Sequence, residues 1–197
     1  MEWDAAYRGQ PLWEIGRSQP AVVELAESGR LGHSVLDAGC GTGENALLLA
    51  ERGHEVWGID VSELAIERAM MKTHARRLPV VFLVANVVDA DAVGRTFDSV
   101  VDSGCFHTLS DSERVAYSAS MRALTEPGGS LHVLCFSELE PPGWGPRRVT
   151  QAELRDTFAE GWTELEIVPA HYETRGSREG RTEAFAWLAS FRRTATA

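Results

Sequence analysis

From about residue 33 onward, apolar runs of strand character alternate with stretches whose apolar positions recur at helical spacing. Residues 33–37, His33-Ser34-Val35-Leu36-Asp37, end in an acid followed by glycines, which predicts a strand and then a turn. Residues 44–52 carry Ala46, Leu47, Leu48, Leu49 and Ala50 and stop at Gly53, the pattern of a helix closed by glycine. Residues 55–59 read as a second strand, and Ser62 is the candidate N-cap of a helix bearing Leu64, Ala65, Ile66 and Ala69. The unbroken apolar run 80–85 predicts a third strand, covered on both faces. A fourth strand is expected at 97–101, a helix at 110–124, a tight turn at Pro127-Gly128-Gly129 and a fifth strand at 130–136. After the loop Glu140-Pro141-Pro142-Gly143-Trp144-Gly145-Pro146, Thr150 with Glu153 three residues on forms a capping box for a helix reaching residue 159. Two last strands, 162–171 and 181–191, form a closing hairpin.

This order predicts an α/β fold in one domain: a seven-stranded, mostly parallel sheet with an antiparallel edge strand and helices on both faces. Residues 1–30 precede the first strand, hold Trp3, Tyr7 and Trp13, and are expected to fold as a lid over residues 31–197. The chain of 197 residues suits a single core. No apolar run exceeds six residues, so no membrane span is expected. The acidic opening Met1-Glu2-Trp3-Asp4 is unlike a secretory signal. A net charge of −10 repels phosphate backbones and anionic lipid, which argues against nucleic-acid or membrane partners. Cys40, Cys105 and Cys135 form no CxxC pair, and the histidines no HxxxH or HxH spacing, so no metal site is expected. The three cysteines read as reduced thiols of a cytoplasmic protein, and Cys40 as a small buried residue and not a nucleophile.

The first strand-to-helix turn, Asp37-Ala38-Gly39-Cys40-Gly41-Thr42-Gly43-Glu44-Asn45, lies where open α/β sheets bind ligands. A dinucleotide fingerprint needs a third glycine where Glu44 stands, and a phosphate loop needs Lys-Ser/Thr where Glu44-Asn45 stands. A carboxylate at the helix N-terminus opposes a polyphosphate. The turn suits a zwitterion or a cation instead.

Val35-Leu36-Asp37-Ala38-Gly39-Cys40-Gly41-Thr42-Gly43 resembles the first motif of class I S-adenosylmethionine-dependent methyltransferases. Gly58-Ile59-Asp60-Val61-Ser62 resembles their second. The flanks are similar to the small-molecule branch related to thiopurine methyltransferases: Trp13 in a Trp-rich N-terminal segment, Asp102-Ser103-Gly104, and the Trp/Pro-rich loop. The resemblance implies a Rossmann-like methyltransferase fold and S-adenosylmethionine as cofactor, released as S-adenosylhomocysteine. It places Asp37 on the cofactor's ammonium, Gly39, Gly41 and Gly43 along its chain, and Asp60 on the ribose hydroxyls. Val61, Asn86 and Val87 fall at the adenine, and Ser103 at the strand-four end.

The acceptor is expected to be a small aromatic or heterocyclic molecule, methylated on O, N or S by a monomer or homodimer. Asp102 and His107 are the catalytic candidates, His107 as general base because its ordinary pKa lies near neutrality. Trp13, Phe106 and Trp144, with Tyr7, are candidates for an aromatic slot, and Arg17 and Arg147 for acceptor contacts; Arg148 is a second cation beside Arg147. A cofactor-binding or regulatory module without turnover is the alternative, and simple thiol-like acceptors a weaker one.

Overall fold

The computed structural model describes residues 2–176 and 180–195. Each strand-like run becomes a strand of one sheet: β1 (Ser34–Ala38), β2 (Glu55–Asp60), β3 (Val80–Val84), β4 (Phe97–Ser103), β5 (Thr125–Phe136), β6 (Trp162–Glu173) and β7 (Glu183–Arg193). The helices are α1 (Glu2–Tyr7), α2 (Pro20–Glu27), α3 (Glu44–Glu51), α4 (Glu63–Arg76), α5 (Asp111–Leu124) and α6 (Gln151–Thr157). The sheet order is β3-β2-β1-β4-β5-β7-β6. β7 runs antiparallel to both of its neighbours, so the reversed strand lies one position in from the edge and β6 closes the sheet.

The helix starts follow their side chains. Ser62 accepts from the Ala65 amide at 3.2 Å, and Thr150 and Glu153 form the reciprocal capping box. Ser110 and Glu113 form a second such box at α5.

Alternation along the strands sends side chains to two cores. Leu36, Ile59, Val100 and Leu131 pack with Tyr117 and Met121 of α5 and Leu154 of α6. Val35, Val56 and Val101 pack with Val22 and Leu25 of α2, Ala46 and Leu49 of α3, and Ile66 of α4. α2 is thus part of the core, and the segment crossing the strand ends is α1 with residues 8–19.

Two expectations are corrected. β3 is an edge strand with Val81 and Val84 exposed, not a strand covered on both faces. The Pro127-Gly128-Gly129 turn does not precede β5 but bulges within it: Thr125 pairs with Phe97, and the ladder resumes at Ser130 opposite Ser99.

β1 pairs with β2 on one side and β4 on the other, and Ala38 lies level with Ile59 and Asp102. The chain builds outward from β1 to β3, then returns to place β4 on the opposite side, so the topological switch falls between β1 and β4. Among the described residues, no helix is long and apolar enough to cross a membrane, and no group of three or more His, Cys, Asp or Glu is placed to hold a metal.

Candidate functional site

The glycine turn closes on β2, where the Gly39 and Cys40 amides donate to the Ile59 carbonyl at 2.8 and 2.9 Å. Gly39 has φ of 72°, and a Cβ there would lie 2.4 Å from Cys105 Cβ. Gly41 has φ of 54°, and a Cβ there would lie 2.8 Å from Tyr7 Oη. Both positions need glycine for conformation and for clearance. Gly43, at φ 83°, starts α3. Glu44, in the first turn of that helix, pairs with Lys72 and Arg76, each at 2.8 Å. Cys40 is buried and its thiol is pushed well up by burial, an inert packing residue.

Asp37 is 1% exposed, and among the described residues neither carboxylate oxygen has a hydrogen-bond partner. Burial, then the charges of Asp102 and Asp60, push its pKa up to about 7; the Ala46 amide lowers it without reaching hydrogen-bond geometry. An unpartnered carboxyl at the end of β1 is matched by an ammonium. Ser103 Oγ, at the end of β4, is also buried and has no partner among the described residues. Asp60 holds the turn in place: its oxygens accept from the Gly41 and Ser62 amides, both at 2.9 Å. Each oxygen keeps a lone-pair direction, so a vicinal diol can still be met. Burial raises the Asp60 pKa, against the two amides. Val61 is half-buried and Val87 buried beyond β3, while Asn86 is exposed and its side-chain oxygen accepts from the Val88 amide at 3.2 Å. These residues fit S-adenosylmethionine by charge, and the orphaned Asp37 carboxyl is the observation that tests the fit.

At the end of β4 three of the candidates are buried and engaged. Asp102 is fully buried and accepts from the Cys105 amide at 2.9 Å, the Phe106 amide at 3.1 Å and the Tyr117 hydroxyl at 2.7 Å. Burial still pushes its pKa up to about 6, and the carboxyl serves to fold the 103–106 loop. His107 is 5% exposed, and its Nδ1 accepts from the Phe136 amide at 3.0 Å. That bond puts the proton on Nε2. Burial, then the charges of Arg114 and Arg148, push its pKa down to about 3, which makes it a poor base at neutrality. Phe106 is not in an acceptor slot: it is fully buried, 5.4 Å from the Tyr117 ring and 5.7 Å from the Phe158 ring, with the Arg114 guanidinium over its face.

The N-terminal strap is tied down along its length. Asp4 accepts from the Ser62 hydroxyl at 2.6 Å, at the start of α4. Tyr7 is buried over Gly41, and its hydroxyl accepts from the Trp13 indole at 3.1 Å. It therefore covers the turn and does not join an acceptor slot. Thr42 donates to Glu14, and Gln19 exchanges two hydrogen bonds with the Glu173 backbone at 2.9 and 2.8 Å. Arg17 pairs with Glu173 of β6, so it anchors the strap.

Trp13 and Trp144 pack on one buried cluster that includes Phe136 and Tyr172. Trp144 is aimed by Glu140, which is buried, accepts from the indole at 3.1 Å and pairs with Arg181 at 3.1 Å. Arg148 spends its guanidinium on the carbonyls of residues 140, 141, 144 and 146. Arg147 is held by Asp111 and Glu153. Glu14, Phe136, Glu140 and Tyr172 were not singled out from sequence. Only the lone acid of a Pro/Gly loop beside Trp144 carried a signal.

Residues 35–129 match a family described as a methyltransferase domain. The 2-heptyl-1-hydroxyquinolin-4(1H)-one methyltransferase of Mycobacteroides abscessus is 34% identical, over 93% of this chain and 87% of its own. The probable thiol methyltransferase 2 of Arabidopsis thaliana is 28% identical, over 95% of this chain and 83% of its own. A protein solved in work on the conversion of a disulfide bond into a thioacetal group during echinomycin biosynthesis is 36% identical, superposes with a TM-score of 0.89, and covers 100% of this chain and 93% of that one. With the glycine turn, the orphaned Asp37 and Asp60 in place, the chain belongs to the S-adenosylmethionine-dependent small-molecule methyltransferases.

Proposed function

We propose that the acceptor is a small aromatic or heterocyclic molecule that enters already ionised on an oxygen, sulfur or acidic nitrogen, and that no side-chain base takes part. The carrying observation is His107, whose Nδ1 lone pair is committed to the Phe136 amide and whose ring is buried. Asp102, the other candidate, has both oxygens engaged. The cofactor supplies an electrophilic methyl group on a sulfonium. The protein's part is binding, alignment and exclusion of water.

In this reading Asp37 takes the ammonium, and Gly39, Gly41 and Gly43 let the backbone approach the methionyl chain. Asp60 takes the ribose hydroxyls, Val61, Asn86 and Val87 border the adenine, and Ser103 completes the strand-four end. Residues 2–19 are the lid. Trp13 and Trp144 flank the acceptor, which suits a planar ring. The relatives named for a hydroxyquinolinone and for thiols both have acceptors with an acidic heteroatom. The net charge of −10 opposes a nucleic-acid acceptor, and a monomer or homodimer suffices for this site. The free thiols Cys40, Cys105 and Cys135 fit a cytoplasmic location.

The test is a panel of 1-hydroxyquinolin-4(1H)-ones, phenols, heteroaromatic thiols, anilines and benzylic alcohols with methyl-labelled cofactor at pH 7.5. Label should enter the acidic hydroxyls and thiols. Label in the alcohols, or in none of the panel while S-adenosylhomocysteine still binds, contradicts the reading.

A further inference from the structure

Tyr172 stands on β6, outside the residues 35–129 that match the methyltransferase domain. It is 6% exposed, and its ring lies against Phe136 at 5.5 Å and His107 at 5.9 Å between centroids. Its hydroxyl reaches the end of β4: a Cβ on Gly104 would lie 2.6 Å from Tyr172 Oη. Gly104 has φ of 90°, so the chain turns there in a conformation that leaves the phenol room. Among the described residues the hydroxyl's partner is the Ser103 carbonyl at 3.5 Å, the outer limit of a hydrogen bond. Burial first, then the nearby charges of Asp102, Glu14 and Asp37, raise its pKa, so the phenol keeps its proton. A buried, weakly partnered donor therefore stands beside Ser103, on the wall against which Trp13 and Trp144 pack.

We propose that Tyr172 is an acceptor-binding residue, donating its phenolic hydrogen to the anionic acceptor and so fixing its position and favouring its ionised form. The inference rests on the functional reading above. It adds a specificity for hydroxyl-derived anions, since an oxyanion takes a stronger hydrogen bond than a thiolate.

Tyr172→Phe keeps the ring contacts and removes the donor. In the wild type bound to S-adenosylhomocysteine, an absorbance titration of a 1-hydroxyquinolin-4(1H)-one should give an acceptor pKa below its value in water; in Tyr172→Phe that lowering should disappear. The variant's KM for this acceptor should rise about ten- to hundredfold, the scale of a hydrogen bond to a charged group. A heteroaromatic thiol should be affected less, and the S-adenosylhomocysteine Kd should stay within about twofold. Equal acceptor pKa and KM in both proteins overturn the proposal. So does a matching loss of S-adenosylhomocysteine affinity, which would assign the hydroxyl to the cofactor. If the wild type methylates nothing in the panel, the functional reading itself fails, and this inference with it.

Discussion

Asp37 ends β1 with two unpartnered oxygens and a pKa pushed up to about 7, against an ordinary value of 3.8. A carboxyl whose pKa is raised by folding stabilises the native state below its unfolded pKa. That contribution fades as pH rises through the folded pKa. The ligand-free protein should therefore lose stability between about pH 4 and pH 7 through this group, by a few kcal/mol. Asp37→Asn should flatten that loss, seen as a smaller fall in Tm over the same range. It should also weaken S-adenosylhomocysteine about tenfold or more, because the ammonium loses its counter-charge. A variant with full affinity would show that Asp37 only packs against α3. Asp60→Ala removes the anchor of the Gly41 and Ser62 amides as well as the ribose acceptor. It should cost ~1.5–3 kcal/mol of binding by calorimetry, and an unchanged Kd in a folded variant would reduce Asp60 to a turn brace.

At the scale of elements, the strap of α1 and residues 8–19 belongs to no strand-helix unit. Asp4, Tyr7, Glu14 and Gln19 tie it to α4, the glycine turn and β6. Removing residues 1–16 spares α2, whose Val22 and Leu25 lie in the core, so the shortened chain should fold. Its turnover should be lost, and cofactor should slow amide exchange across residues 2–19 of the full chain; identical exchange with and without cofactor contradicts the lid. This strap was legible only as aromatic residues seeking cover. β1, β2, their glycine turn and the caps at Ser62 and Thr150 were legible because apolar period, glycine position and capping side chains are local signals. The edge position of β3 was not, since a run of Val, Phe and Leu looks alike with one neighbouring strand or two. Nor was Tyr172, which reaches β4 from a distant strand. Residue type marks His107 as a base, while the Phe136 amide that occupies its Nδ1 comes from another strand and leaves no local signal.

Over the whole molecule, buried groups of opposite sense set the response to acid. His107 and His132 are buried and neutral, with pKa pushed down to about 3 and about 4. His132 lies between the Ser130 and Ser190 hydroxyls at 3.0 and 2.9 Å. Histidines with lowered folded pKa contribute stability above their unfolded value near 6.5 and lose it as pH falls toward 4 and 3. Asp37 and Asp102 act in the other direction between about pH 7 and pH 4. The ligand-free protein should thus hold a broad plateau between about pH 4 and pH 6 and lose stability below it. His132→Gln, which can still meet both serines, should move the acid midpoint lower. An unchanged midpoint in urea-free acid titration would remove His132 from this balance.

Methyl transfer to a preformed anion makes one demand on the complete enzyme that a base mechanism does not. The pH dependence of kcat/KM must follow the acceptor. For phenols of graded pKa, measured between pH 5 and pH 9, the rising limb should shift in step with each phenol's own pKa. His107→Gln should leave that limb where it is, even if the altered wall lowers the rate. A limb that stays at one pH for every phenol, and disappears in His107→Gln, would contradict the account and restore the histidine as the base.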